Sequence, residues 1–436
     1  MTPGTGDPDG LADNREDDGN DATSDWSSGM LPVPDIDRRH VLRILGGTAT
    51  AAALGMAGWA GRAAYLTSGL DRTDLATAPT ERSRATGPGA DAVPGEALLA
   101  ELDAHSERRD AVGLQATVRF NGGTSWRGVA GNADHDDGAP LSFDSQLYVG
   151  SVTKLFTAAL TLRHVDLGVI GLDDSLEEWV DLAYADEVTV RMLLNHTSGV
   201  PSYTEDAWFI ARYFGQPTRR WQPAELIDPV RDTPPKFDPG SRHEYSNTNY
   251  ALLGLILERA TGTSYGDLLA ALVREELGYD RTYYLDYSDD AVIANAYDES
   301  IFGLGRRNLT GFRTSLESGG YAAGGVLSTA PDVAGFLRSL IDGRVLTKEA
   351  LEAMRTFVDA PDEDVPTQRG YGLGLRRVDI DGEELIGHTG TIPGYSAVAL
   401  HHDDPPYTMA VLSNVSTIDQ SGIAGALQSV ILDRYY

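Results

Sequence analysis

From Leu98 to Tyr436 the apolar residues follow two periods in separate parts of the chain. Spacings of three and four over Leu98–Arg108 predict an amphipathic helix. Gly113–Phe120 and Thr124–Ala130 alternate with period two, and Asn121-Gly122-Gly123 between them is a hairpin signal. A long middle follows, from Ser151 to about Gly343, in which helical spacing dominates. Strand patterns return at Tyr371–Ile380, Glu384–His388, Tyr395–His402 and Tyr407–Ser413, with a turn at Asp403–Pro406 and a closing helix over Ile418–Arg434. Strands at both ends with helices between predict one α+β unit, its sheet assembled from distant segments around a largely helical insertion.

The first 94 residues read differently. Residues 1–29 are expected to be a disordered acidic tail, because Asp7–Asp25 carries eight acids, one arginine and almost nothing apolar. Met30 is an alternative start. Residues 30–62 contain Arg38-Arg39 before an uncharged run, 44–61, rich in Ala and Gly, a pattern that resembles a twin-arginine export signal. That implies an extracellular or cell-surface protein, tethered through residues 44–61 if the signal stays uncleaved. The run has 18 residues and five glycines, weak for a stable membrane span. Residues 63–94 are Thr-, Ala-, Gly- and Pro-rich and read as a linker, leaving 95–436 as the folded domain.

Charge narrows the partners. Asp and Glu number 65 against 35 Lys and Arg, a net charge of −30, and only Lys154, Lys236 and Lys348 are lysines. Such a surface repels phosphate, which excludes nucleic acid and disfavours anionic membranes. Many carboxylates with few lysines resemble the proteins of salt-loving archaea. At molar salt the Debye length falls to about 3 Å and self-repulsion is screened. With no cysteine, disulfides, thiolate nucleophiles and Cys-ligated zinc are excluded.

Three motifs carry candidate chemistry. In Gly150-Ser151-Val152-Thr153-Lys154, the serine and lysine are at i and i+3 beside a helix start, so they share a face. A serine hydroxyl is a feeble nucleophile until a base takes its proton, and a desolvated amine one turn away can do so or polarise the base that does. A guanidinium cannot, and one of the chain's three lysines stands here. Tyr245-Ser246-Asn247, after Phe237-Asp238-Pro239-Gly240 and before a helical pattern, can aim a phenol and a carboxamide into one cleft. The bland alternative is a helix cap with a packing tyrosine. His388-Thr389-Gly390-Thr391 ends a strand pattern; the absent side chain at Gly390 would let a substrate lie against the strand, with donors from His388 and Thr389.

Together, and in this order, the three resemble the S-x-x-K, Tyr-x-Asn and K/H-T-G signature of the penicillin-binding protein and serine β-lactamase superfamily, in its class C β-lactamase and D-alanyl-D-alanine carboxypeptidase-like branch. Leu193–Gly199, Ala323–Thr329 and Tyr371–Gly374 resemble that branch too. The resemblance implies a β-lactamase-like fold, an antiparallel sheet flanked by helices, and hydrolysis of a small-molecule or peptide amide or ester through an acyl-enzyme, without metal or cofactor. It implies Ser151 as nucleophile, Lys154 and Tyr245 as the groups that move its proton, and Asn247 orienting Lys154 and the substrate. It further implies His388, Thr389 and Gly390 at the substrate, and the amides of Ser151 and Thr391 as an oxyanion hole. His388 departs from the lysine usual in β-lactamases of this branch. It weakens the pull on an anionic substrate, because an unperturbed imidazole is mostly neutral at pH 7. The His form resembles some carboxypeptidases. A penicillin-recognising sensor that binds without turnover is the alternative from another class.

Overall fold

The apolar strand segments build one nine-stranded antiparallel sheet in the computed structural model, which describes residues 81–108, 112–299 and 305–436. Its strands are β1 (Ser83–Thr86), β2 (Leu114–Phe120), β3 (Ser125–Ala130), β4 (Val358–Asp359), β5 (Gln368–Tyr371), β6 (Arg376–Ile380), β7 (Glu383–Ile392), β8 (Tyr395–His402) and β9 (Tyr407–Ser413). The spatial order is β1-β3-β2-β9-β8-β7-β6-β5-β4. β9 pairs with β2 from Tyr407 opposite Phe120 to Ser413 opposite Leu114, so the two ends of the domain close on each other. The helices used below are α1 (Gly95–Glu107), α2 (Thr153–Asp166), α3 (Asn247–Thr261), α4 (Arg313–Gly324), α5 (Ala330–Ile341) and α6 (Gln420–Arg434).

The sheet is buried on both faces, which is why its central strands β8 and β9 have no exposed residue. On one face α1 and α6 supply Leu98, Leu102, Ile423, Leu427 and Ile431 to a core with Val118, Leu400 and Met409. On the other, α5 and the inserted helical region pack Phe336, Leu337, Leu155 and Phe156 against Ala397, Ala399 and Leu412. The architecture matches the α+β expectation: an antiparallel sheet flanked by helices, with a helical region between its end segments.

Two expectations need correction. The linker expected over residues 63–94 runs too far, because Ser83–Thr86 adds an edge strand against β3, Ser83 opposite Gly128 and Thr86 opposite Ser125. Four residues half-exposed in alternation carry too little apolar signal to be read as a strand. The single strand expected over Tyr371–Ile380 is two, separated at Gly372–Leu375, where Gly374 adopts φ +92° and a Cβ would meet that of Ala158 at 2.3 Å. The expectations for residues 1–29 and 30–62 lie outside the described residues. None of the described helices is long and apolar enough to cross a membrane.

Gln115, buried in the sheet, ties it to the helical region. Its amide nitrogen donates to the carbonyls of Ser142, Phe143 and Ser145, and its oxygen accepts from Ala330 N at 2.6 Å. Gln115→Ala leaves these groups without partners where water is excluded, so urea unfolding should show a loss of about 3 kcal/mol. A loss under about 0.5 kcal/mol would show that Gln115 does not join the two parts.

Candidate active site

The turn before α2 places Ser151. Gly150 adopts φ +52°, and a Cβ there would lie 2.7 Å from Thr391 N, so only glycine lets this turn meet β7. β7 answers with Gly390, whose missing Cβ would lie 2.1 Å from Val149 O and 2.9 Å from Ser151 N. The two glycines bring the backbone of Ser151 against that of Thr391, and both residues line the adjoining cavities. Two backbone amides so close to one hydroxyl suit a developing oxyanion.

Lys154, one turn into α2, is fully buried. Its Nζ lies 3.0 Å from Ser151 Oγ, 2.8 Å from Asn247 Oδ1 and 2.7 Å from Ala323 O. The last carbonyl is presented by a break in α4: Tyr321 takes φ +43°, rare for a residue with a Cβ. Just beyond that kink, Ala322 O accepts from Thr157 and Ala323 O from Lys154. Burial, reinforced by the Arg376 guanidinium, holds the amine well below the usual lysine range. A neutral amine has two N–H donors and one lone pair. Asn247 and Ala323 accept the two donors, which leaves the lone pair for the Ser151 hydroxyl proton.

Tyr245 flanks the same amine, its ring centroid 4.9 Å from Lys154 Nζ. His196 holds its loop: the backbone carbonyl accepts from Glu244 N and ring Nδ1 accepts from Ser246 N, the neighbours on either side. Burial raises the phenol's pKa, while Arg376 and the Ser151 hydroxyl pull it back. The phenol oxygen makes no hydrogen bond of good geometry here, though it is shielded from solvent. Asn247 opens α3, accepting from Lys154 and donating to Thr204 Oγ1 at 3.0 Å.

The third motif divides. Thr389 and Gly390 line a cavity of about 630 Å³ together with Ser151 and Tyr245. His388 does not. Its ring is fully buried, Nε2 hydrogen-bonds the Tyr371 hydroxyl at 2.9 Å, and Nδ1 meets Thr389 O. Burial first, then the Arg376 guanidinium, hold this imidazole neutral, well below the ordinary histidine pKa.

The cation in the cleft is instead Arg376, which the motifs do not mark. It is 5% exposed, pairs in register with Gly387 beside His388, and lies 4.9 Å over the Tyr245 ring. Its Nη1 donates to Gln368 Oε1 and to Asp362 Oδ2, the latter at 3.3 Å. A signal existed: Arg376 shares a strand face with Val378 and Ile380, so the alternation buries a guanidinium that then needs partners. Among the described residues no cluster of His, Cys, Asp and Glu is arranged to hold a metal.

The family described as Beta-lactamase matches residues 96–429. The chain belongs to the beta-lactamase family. It is 28% identical to penicillin-binding protein 4* of Bacillus subtilis over 319 residues, covering 70% of this chain and 69% of that one. It is 26% identical to a D-aminopeptidase of Brucella anthropi over 65% of this chain and about half, 52%, of the relative. The D-amino acid amidase of Ochrobactrum anthropi SV3 superposes with a TM-score of 0.69 at 26% identity, over 78% of this chain and 99% of that structure. Membership makes the chain a β-lactamase-related serine hydrolase that works through an acyl-enzyme on a small-molecule or peptide substrate.

The neutral-amine reading of Lys154 has a pH sign. Rate should rise as the amine loses its proton, so the rising limb of kcat/KM should lie well below the ordinary lysine pKa and vanish in Lys154→Arg. That variant should lose about 100- to 10,000-fold in kcat while still folding. Wild-type activity that climbs only above pH 10 would contradict it.

Proposed function

We propose that the protein hydrolyses an amide or ester of a small acyl group, with Ser151 as nucleophile, Lys154 taking its proton, and Tyr245 relaying a proton to the leaving group and activating the deacylating water. One observation carries the reading: a buried, destabilised amine sits 3.0 Å from a serine hydroxyl that opens onto a cavity of about 630 Å³. A binding protein has no physical need to strip water from a lysine in this way. The amides of Ser151 and Thr391 then hold the oxyanion, and Asn247 keeps Lys154 aimed. A second pocket beside Ser151, walled in part by Tyr203, Phe209, Tyr213 and Ile392, offers a partly apolar seat for the acyl side chain. The names of the relatives, a D-aminopeptidase and a D-amino acid amidase, support amides as the bond attacked.

The protein acts outside the cytoplasm, delivered by the paired arginines at 38–39, and in high salt. The charge of −30 supports the salt reading.

Intact-mass analysis with a fluorophosphonate or β-lactam tests the chemistry. A hydrolase forms a Ser151 adduct that turns over with the β-lactam, a sensor keeps it, and a non-covalent binder forms none. Ser151→Ala should abolish turnover and labelling with the fold intact; retained turnover refutes the assignment. For the salt reading, the thermal midpoint should climb steadily from dilute buffer to 2 M KCl, and a flat profile would remove it.

A further inference from the structure

Five carboxylates and one guanidinium line the cleft: Glu244, Asp362, Glu363, Asp364 and Asp419 against Arg376. The guanidinium is already engaged. Asp362 Oδ2 lies 3.3 Å from Arg376 Nη1, with the two side chains 15% and 6% exposed. Asp362 is itself set in place, since its Oδ1 accepts from Asp364 N at 2.9 Å within a strap bounded by Pro361 and Pro366. No second cation is offered to a ligand among the lining residues: His388 is enclosed, and burial pushes the His243 pKa down to about 4.

We propose that Asp362 is a built-in counter-carboxylate that occupies Arg376, setting the cleft against substrates whose leaving group ends in a free carboxylate and in favour of neutral or amine-bearing ones. The inference rests on the hydrolase reading of the same site. An incoming carboxylate must either displace Asp362, stranding a half-enclosed anion next to Glu363 and Asp364, or remain beside it unpaired. Each alternative is repulsive at low effective dielectric. A neutral carboxamide pays neither penalty, and an amine gains from the surrounding carboxylates. Arg376 retains a second task, because it lies over the Tyr245 ring and offsets part of the rise that burial gives that phenol's pKa.

Two D-alanyl thioesters that differ only in the leaving thiol, mercaptoacetate or mercaptoacetamide, give the test, with released thiol followed in the full chain. The wild type should favour mercaptoacetamide at least tenfold in kcat/KM. Asp362→Asn keeps the shape and removes the charge, and should shrink that ratio about tenfold by raising turnover of the acid; Asp362→Ser serves if the amide does not fold. A wild type that prefers the acid, or a ratio unmoved in a folded variant, overturns the inference while a fluorophosphonate adduct at Ser151 keeps the hydrolase reading. Absence of any adduct and of any turnover removes both.

Discussion

The desolvated amine of Lys154 organises the molecule. Its three partners come from the turn at Ser151, the start of α3 at Asn247 and the kink of α4 at Ala323. An amine shielded from water is tolerated only if each donor finds an acceptor, so these segments must meet to within a few tenths of an ångström. That demand explains the left-handed backbone at Tyr321, while the bare positions at Gly150 and Gly390 let the Ser151 turn press against β7. Local strain is accepted where it fixes the amine, and the two apolar cores on either side of the sheet hold the strain in place.

Around that amine the charges are arranged by burial rather than by number. His196, His243 and His388 are all held neutral, and in each burial is the first cause. Arg376 cannot lose its proton and therefore acquires Asp362 and Gln368. Moving the fixed positive charge from position 388 to the neighbouring strand keeps it near Tyr245, while placing it where an internal carboxylate can reach it. The guanidinium on β6 is held by Gln368 and Asp362 and is already paired.

How much was legible follows from what each signal depends on. Ser151 and Lys154 are one helical turn apart, so their spacing alone states that they share a face, and the structure puts them 3.0 Å apart. Tyr395–His402 and Tyr407–Ser413 were readable to the residue because each is a short, largely apolar run bounded by turn residues, Pro393-Gly394 before the first and Asp403–Pro406 between the two. Arg376 and Asp362 were not. Their pairing depends on a loop that returns over the cleft, and their relation to His388 on the register of β6 with β7, neither of which leaves a local period. His388 itself was placed at the substrate from its motif, yet which way a strand residue faces depends on its packing. Here Tyr371 and the Thr389 carbonyl enclose the ring. β1 was lost in composition, its four residues too polar to separate from the segment before it.

The acidic surface and the cleft obey different electrostatics. On the surface, carboxylates separated by more than the roughly 3 Å Debye length of molar salt no longer sense one another, so −30 is compatible with a folded chain. Inside the cleft that screening fails, because ions cannot enter a pair whose members are 6% and 15% exposed. Molar salt, which would silence the surface, would therefore leave the Arg376–Asp362 pair largely unscreened. At molar salt, steering of a charged substrate over distance would be lost, and discrimination would have to be made at contact. A carboxylate already seated on the cleft's guanidinium does that at a range where salt has no influence.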